Sequence, residues 1–284
     1  MINILIVLEG ERTETDFFNS LLQRFDLQAK LCVVGTNLYT LYHKCKQYNF
    51  DCDVKDVLKE LVDESTKKLL EQKFTYTYLV FDADLHHKKP EQRGQSIPIE
   101  VLIKQNFPQL IEMAQYFTDE TDPSIGRLYI NYPMMESYRY CDKFDDDNYL
   151  SATISIAQMG NFKRLASQMN LSGIKPSEYK RTDFSNLIRM NIKRLQLIAT
   201  ENLNSNLPYY LYKAISEAAS IASNQYASAE EKQELHVINT SLFIILDYFG
   251  NRNNFYDHMI SYPEKQVSTN SETKALNKET CTIS

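Results

Sequence analysis

The chain contains no stretch of about 18 consecutive apolar residues, so no membrane-spanning helix is expected. It also has no C-x-x-C pair. Its five cysteines (Cys32, Cys45, Cys52, Cys141 and Cys281) are scattered and odd in number, which argues against a disulfide framework and a thiolate zinc site. A reducing, cytoplasmic setting is expected. The opening residues run straight into an apolar segment, without the basic stretch and cleavage site of a secretory leader. No G-x-x-x-x-G-K-[ST] loop occurs either, so nucleotide sensing would fall to another protein. Excess positive charge is lacking too: 31 Lys and Arg against 37 Asp and Glu leave a formal charge of -6. This argues against a protein that coats nucleic acid through a broadly basic surface. It leaves room for a nuclease, in which an acidic centre reaches phosphate through divalent cations.

What is present suffices for a sizeable core, since 43% of the 284 residues are hydrophobic. Residues 2 to 8 read as a strand buried on both faces, as in a parallel sheet, with Glu9-Gly10 as its exit. Thr13 and Asp16 resemble a capping pair for a helix carrying Phe17, Phe18, Leu21, Leu22 and Phe25. A second strand, Ala29 to Val34, ends at Gly35 and leads into helical stretches up to Lys73. A third, Tyr76 to Phe81, runs into Asp82-Ala83-Asp84-Leu85-His86-His87-Lys88-Lys89. A helix from Pro98 to Phe117, kinked at Pro108, precedes a fourth strand, Leu128 to Asn131. This rhythm predicts an α/β fold with a mostly parallel sheet flanked by helices. Past Phe144 helices are expected at 150–170, 184–204, 208–226 and 230–249, with the run Leu242 to Leu246 ambiguous and no other strand. The expected organisation is therefore 1–143 as a catalytic α/β domain, 144–261 as a helical domain or cap, and 262–284 as a flexible polar tail.

Asp82 and Asp84 sit two residues apart at a strand end, so in extended chain both carboxylates project to one side. Glu9 occupies the same place on the first strand. Parallel strands bring such ends together on one edge, where carboxylates repel unless a cation binds or one of them is protonated. Mg²⁺ and Mn²⁺ suit this oxygen donor set. Each piece has a plainer explanation: a Glu after a strand often opens a helix, aspartates favour turns, and Glu136 sits where a helix start favours an acid. The basic run His86, His87, Lys88 and Lys89 reads equally as a solvated loop and as a set of phosphate contacts.

Three segments, Leu8 to Phe18 with Glu9-Gly10 and Thr13-Glu14, Val80 to Asp84, and Asn131 to Glu136, resemble the successive motifs of a TOPRIM domain. The closest variety is the RloB-like and OLD-type nuclease family of bacterial anti-phage systems, and the resemblance spans about residues 1 to 140. It implies a metal-dependent endonuclease that cleaves DNA or tRNA, with Glu9, Asp82 and Asp84 catalytic. Glu9, Glu14, Asp82, Asp84 and Glu136 would ligate Mg²⁺ or Mn²⁺. Outside those motifs, His86, His87, Lys88 and Lys89 are the candidates to meet substrate phosphate. It also implies an abortive-infection role controlled by an ABC-type ATPase, and allows a homo-oligomer. The third motif departs from the family pattern by the inserted Tyr132, and Ala83 replaces a commonly larger residue. The run Tyr78 to Asp84 also resembles the strand of haloacid-dehalogenase-type phosphatases, where Asp82 would be the nucleophile, although Leu85-His86 follows instead of Gly-Thr. A non-catalytic interaction subunit built on the same sheet is the remaining alternative.

Overall fold

Runs of Ile, Leu, Val, Tyr and Phe that bury both faces of a strand organise the molecule. The computed structural model describes residues 2–204 and 207–261. In it β1 (Ile4–Leu8) is buried at every position. There follow α1 (Thr13–Arg24), β2 (Lys30–Val33), α2 (Leu38–Gln47), α3 (Val54–Lys59), α4 (Glu64–Leu70) and β3 (Tyr76–Asp82). Then α5 (Ile99–Tyr116), unbroken at Pro108, leads through the short edge strand β4 (Thr118–Asp119) to β5 (Gly126–Asn131). The sheet order is β2-β1-β3-β5-β4, with β4 antiparallel to β5 and every other pairing parallel. Leu8 is paired with Val80, and Asp82 with Asn131. The carboxyl ends of β1, β3 and β5 are therefore neighbours on one edge.

Several local expectations are corrected. The helix α1 begins at Thr13 itself, with Arg12 in the cap position and no side-chain cap bond, so the Thr13–Asp16 pair does not form. The span 150–170 is not a helix. It contains a 3-10 turn (Asp147–Ser151), the strand β6 (Thr153–Ser155), a second 3-10 turn (Ile156–Asn161) and a short α6 (Phe162–Ala166). The long α7 (Arg181–Thr200) is as expected in kind, whereas the span 208–226 divides into α8 (Tyr209–Ile215) and α9 (Ala218–Lys232). The strand β7 (Glu234–His236) and a 3-10 turn (Thr240–Phe243) occupy much of 230–249, before α10 (Ile244–Phe249) and α11 (Phe255–Ile260). β6 and β7 pair antiparallel, a second sheet that the sequence pattern did not announce. The tail expected at 262–284 lies outside the described residues.

The helical region is joined to the main sheet. One apolar core runs from β1, β3 and β5 through Leu187 and Leu195 of α7 to Leu242 and Phe243. Immediately past β5, Tyr132 exchanges backbone hydrogen bonds with Ile238, both at 3.0 Å, so the strand-like chain after β7 abuts the end of β5. At the opposite end of β5, Arg127 meets Asp247 of α10 at 3.2 Å. Among the described residues no helix is long and apolar enough to cross a membrane.

Candidate functional site

Glu9 leaves β1 at the carboxyl edge, and its Oε2 accepts the backbone N–H of Asp82 on the adjacent strand at 3.1 Å. Gly10 leaves room for Glu14. A Cβ at residue 10 would lie 2.6 Å from Glu14 Oε2, the same oxygen that accepts the Gly10 N–H. Glu14 thus folds back from the first turn of α1 toward the strand end and is 6% exposed. Asp82 closes β3 with its Oδ1 buried and without a hydrogen-bond partner. Asp84 adopts φ +39°, a left-handed conformation that aspartate tolerates better than most residues, and its carbonyl accepts the His87 N–H at 2.8 Å. Glu136 lies in a 3-10 turn (Met135–Arg139) after β5, 3% exposed, with Lys163 Nζ at 3.1 Å and Arg139 at 3.8 Å.

The carboxylates sense one another. Burial is the main cause that pushes Glu9 up to about 8, with the charge of Asp84 adding and the Asp82 N–H opposing. Burial likewise pushes Glu14 up to about 7, opposed by the Gly10 N–H and by Lys163 and reinforced by Glu136. Asp82 stands well above the usual carboxylate range through burial first, then through the charges of Glu9, Glu14, Asp84 and Glu136. Asp82 thus feels the charges of the other four acidic residues singled out in the sequence. Two cavities of about 640 Å³ lie along α7 and α11 and contain none of them.

No protein-family model, curated protein or solved structure matches this chain.

The basic run after Asp84 is less uniform. His86 Nδ1 lies 3.8 Å from the Asp84 carboxylate. Lys88 Nζ donates to the Gln95 carbonyl at 2.6 Å, within the same loop, and the Lys89 backbone N–H donates to Gln92 Oε1 at 3.0 Å. The His87 ring stacks on Tyr39 and is lowered from its ordinary pKa chiefly by burial, with Asp84 opposing.

Several positioning residues escaped the sequence. Tyr39 donates its hydroxyl to the Ala83 carbonyl at 2.5 Å, between the two aspartates. The buried segment Asn239 to Ser241 holds the end of β5 and the turn after it: Asn239 Nδ2 donates to the Met135 carbonyl at 3.1 Å, Thr240 Oγ1 to the Ile130 carbonyl at 2.9 Å, and Ser241 N to Asn131 Oδ1 at 3.3 Å. The helical region thus supplies both Lys163 beside Glu136 and the polar residues beneath the third motif. No sequence signal marked them, because their partners lie far away along the chain.

The donor chemistry fits a divalent cation: mutually interacting carboxylates, three of them (Glu9, Glu14 and Asp82) pushed up in pKa, with one oxygen of Asp82 buried and unpartnered. Among the described residues no group of three or more His, Cys, Asp or Glu is already arranged to hold a metal ion. The reason is visible in the contacts: Glu9 and Glu14 are each turned to a backbone N–H, and Glu136 to Lys163. Holding a cation there would require these carboxylates to exchange protein donors for the ion.

Proposed function

We propose that this chain is a divalent-cation-dependent phosphodiester hydrolase acting on nucleic acid, with a TOPRIM-like catalytic centre at the carboxyl edge of its parallel sheet. The observation that carries this is the convergence of Glu9, Glu14, Asp82, Asp84 and Glu136 there, with Asp82 Oδ1 buried and unpartnered. Asp82 and Asp84 would hold Mg²⁺ or Mn²⁺, with Glu14 and Glu136 as further ligands and Glu9 either completing a second site or serving as acid or base; a bound ion would supply Lewis-acid polarisation of the phosphodiester and lower the pKa of water.

The chain's own residues supply the rest. Glu9, with Oε2 tied to the Asp82 N–H, has Oε1 left to carry a proton near neutral pH, which suits an acid or base at the scissile phosphate. Tyr39 and the strained Asp84 backbone keep the two aspartates in register. The side chains of His86, His87, Lys88 and Lys89 follow them on the same loop, where substrate phosphates would lie. The wider reading, an anti-phage effector gated by an ABC-type ATPase, rests on the motif resemblance alone.

The purified chain is expected to cleave DNA or total tRNA in Mg²⁺ or Mn²⁺ and not in EDTA. Glu9→Gln and Asp82→Asn are each expected to lower the rate by about 100-fold or more. Both variants cleaving as fast as the parent would remove the proposal. Addition of a candidate ATPase to the same reactions tests the gating.

A further inference from the structure

The chain from Ala83 to His87 is held from several directions. Tyr39 of α2 holds the Ala83 carbonyl. Asn106 of α5, itself buried, donates to the carbonyls of Leu85 at 3.0 Å and His87 at 2.9 Å. The imidazole of His87 is held as well: it stacks on Tyr39 with centroids 5.0 Å apart and planes 13° from parallel, and its Nδ1 lies 3.1 Å from Asn37 Nδ2.

The helix cap decides which ring nitrogen carries the proton. Asn37 is the N-cap of α2, and its Oδ1 accepts the Thr40 N–H at 2.9 Å and the Thr40 hydroxyl at 3.1 Å. The amide orientation is thereby fixed, and the group facing His87 is the NH₂, which can only donate. Nδ1 is therefore the acceptor, and the neutral ring carries its proton on Nε2. The neighbours are disposed differently: Lys88 turns to the Gln95 carbonyl, and His86 faces Asp84.

We propose that His87 is a substrate-contact residue, a neutral imidazole whose tautomer and orientation are set by Asn37 and Tyr39 and whose Nε2–H donates to a phosphate oxygen of nucleic acid at the acidic edge. The ligand class rests on the nuclease reading; the tautomer rests on the cap geometry.

Three variants separate the contact from mere loop packing. Asn37→Ser keeps a good N-cap acceptor and is too short to reach His87. His87→Phe keeps the stack on Tyr39 and removes both nitrogens, while His87→Gln restores a donor near Nε2. The measurements are long-range ¹H–¹⁵N spectra of the full chain at pH 8, thermal melts, and binding of single-stranded DNA and RNA oligonucleotides in Ca²⁺. The His87 signals, assigned by their loss in His87→Phe, are expected to show protonation on Nε2 and to shift with oligonucleotide. His87→Phe is expected to bind about tenfold more weakly, with His87→Gln within about threefold of the parent. Asn37→Ser is expected to melt like the parent, show tautomer averaging and bind less tightly. A parent protonated on Nδ1, or one whose Nε2 signal ignores the oligonucleotide, overturns the proposal. So does parent-like binding by His87→Phe, or by Asn37→Ser should the Phe variant not fold. A parent that shows the Nε2 shift and cleaves nothing in Mg²⁺ or Mn²⁺ loses the nuclease reading and keeps the contact. One that cleaves while His87→Phe binds and cleaves equally well loses the contact and keeps the nuclease.

Discussion

At residue 10 a missing Cβ decides where the Glu14 carboxylate points. With any larger side chain there, an atom would stand 2.6 Å from Glu14 Oε2, and the carboxylate would have to leave the Gly10 N–H. Gly10→Ala is therefore expected to keep the fold, cost about 1 kcal/mol, and weaken Mn²⁺ binding about tenfold or more. Calorimetric titration with Mn²⁺ beside a thermal melt checks this, and Mn²⁺ binding at the parent's affinity would show that Glu14 has no part in the centre. Glu9, Asp82 and Asp84 were legible in the sequence because each is a charge at or just past the end of an apolar run, and that pattern alone puts it at a strand end. The direction of Glu14 was not, since it depends on space over Gly10. Asn37, Tyr39 and Asn106 were silent for a related reason: they act on the His87 ring and on loop carbonyls that no spacing rule connects to them.

Among the elements, the strands of the main sheet were legible where continuous apolar runs meet turn residues, since burial on both faces leaves no other composition. The small β6–β7 sheet was not, because Thr153–Ser155 and Glu234–His236 are too short for periodicity and exist through pairing with each other. That sheet matters to the site, for the chain leaving β7 carries Ile238 to Tyr132 and Asn239 to the Met135 carbonyl, just ahead of Glu136. Asn239→Ala would leave that carbonyl and the Ser241 hydroxyl without their buried partner. A loss of about 1–3 kcal/mol in urea unfolding is expected. Slower cleavage is expected with it, because the turn bearing Glu136 loses its anchor. The same stability loss with parent-like cleavage would assign Asn239 to packing alone.

The whole molecule treats buried acid in opposite ways at the two ends of its sheet. At the amino end of β5, Asp247 receives Arg127 at 3.2 Å, Lys213 at 3.0 Å and the Tyr129 hydroxyl at 2.6 Å, so its charge is matched where it joins α10 to the sheet. At the carboxyl edge the cations paired with acids among the described residues are Lys163 and Arg139, both on Glu136, and Glu9 and Glu14 rise to about 8 and about 7. Unbalanced buried charge is a cost that an ordinary core avoids and a cation site uses. The linkage has a definite sign. Between the ordinary 4.5 of an unfolded glutamate and these raised values the folded chain binds more protons than the unfolded one, so stability falls as pH rises. In EDTA the contribution of Glu9 and Glu14 is whole below pH 4.5 and is lost as pH climbs through about 7 and then about 8, with Asp82 acting in the same direction. Mn²⁺ favours the charged carboxylates, so its effect on the melting temperature is expected to be small at pH 5 and large at pH 8.5. Glu9→Gln removes the most strongly shifted glutamate and is expected to flatten the EDTA profile between pH 7 and pH 8.5 while reducing the Mn²⁺ effect. A parent whose melting temperature in EDTA is level across that window, or one that Mn²⁺ stabilises equally at both pH values, would show that this edge does not hold the charge imbalance on which cation binding depends.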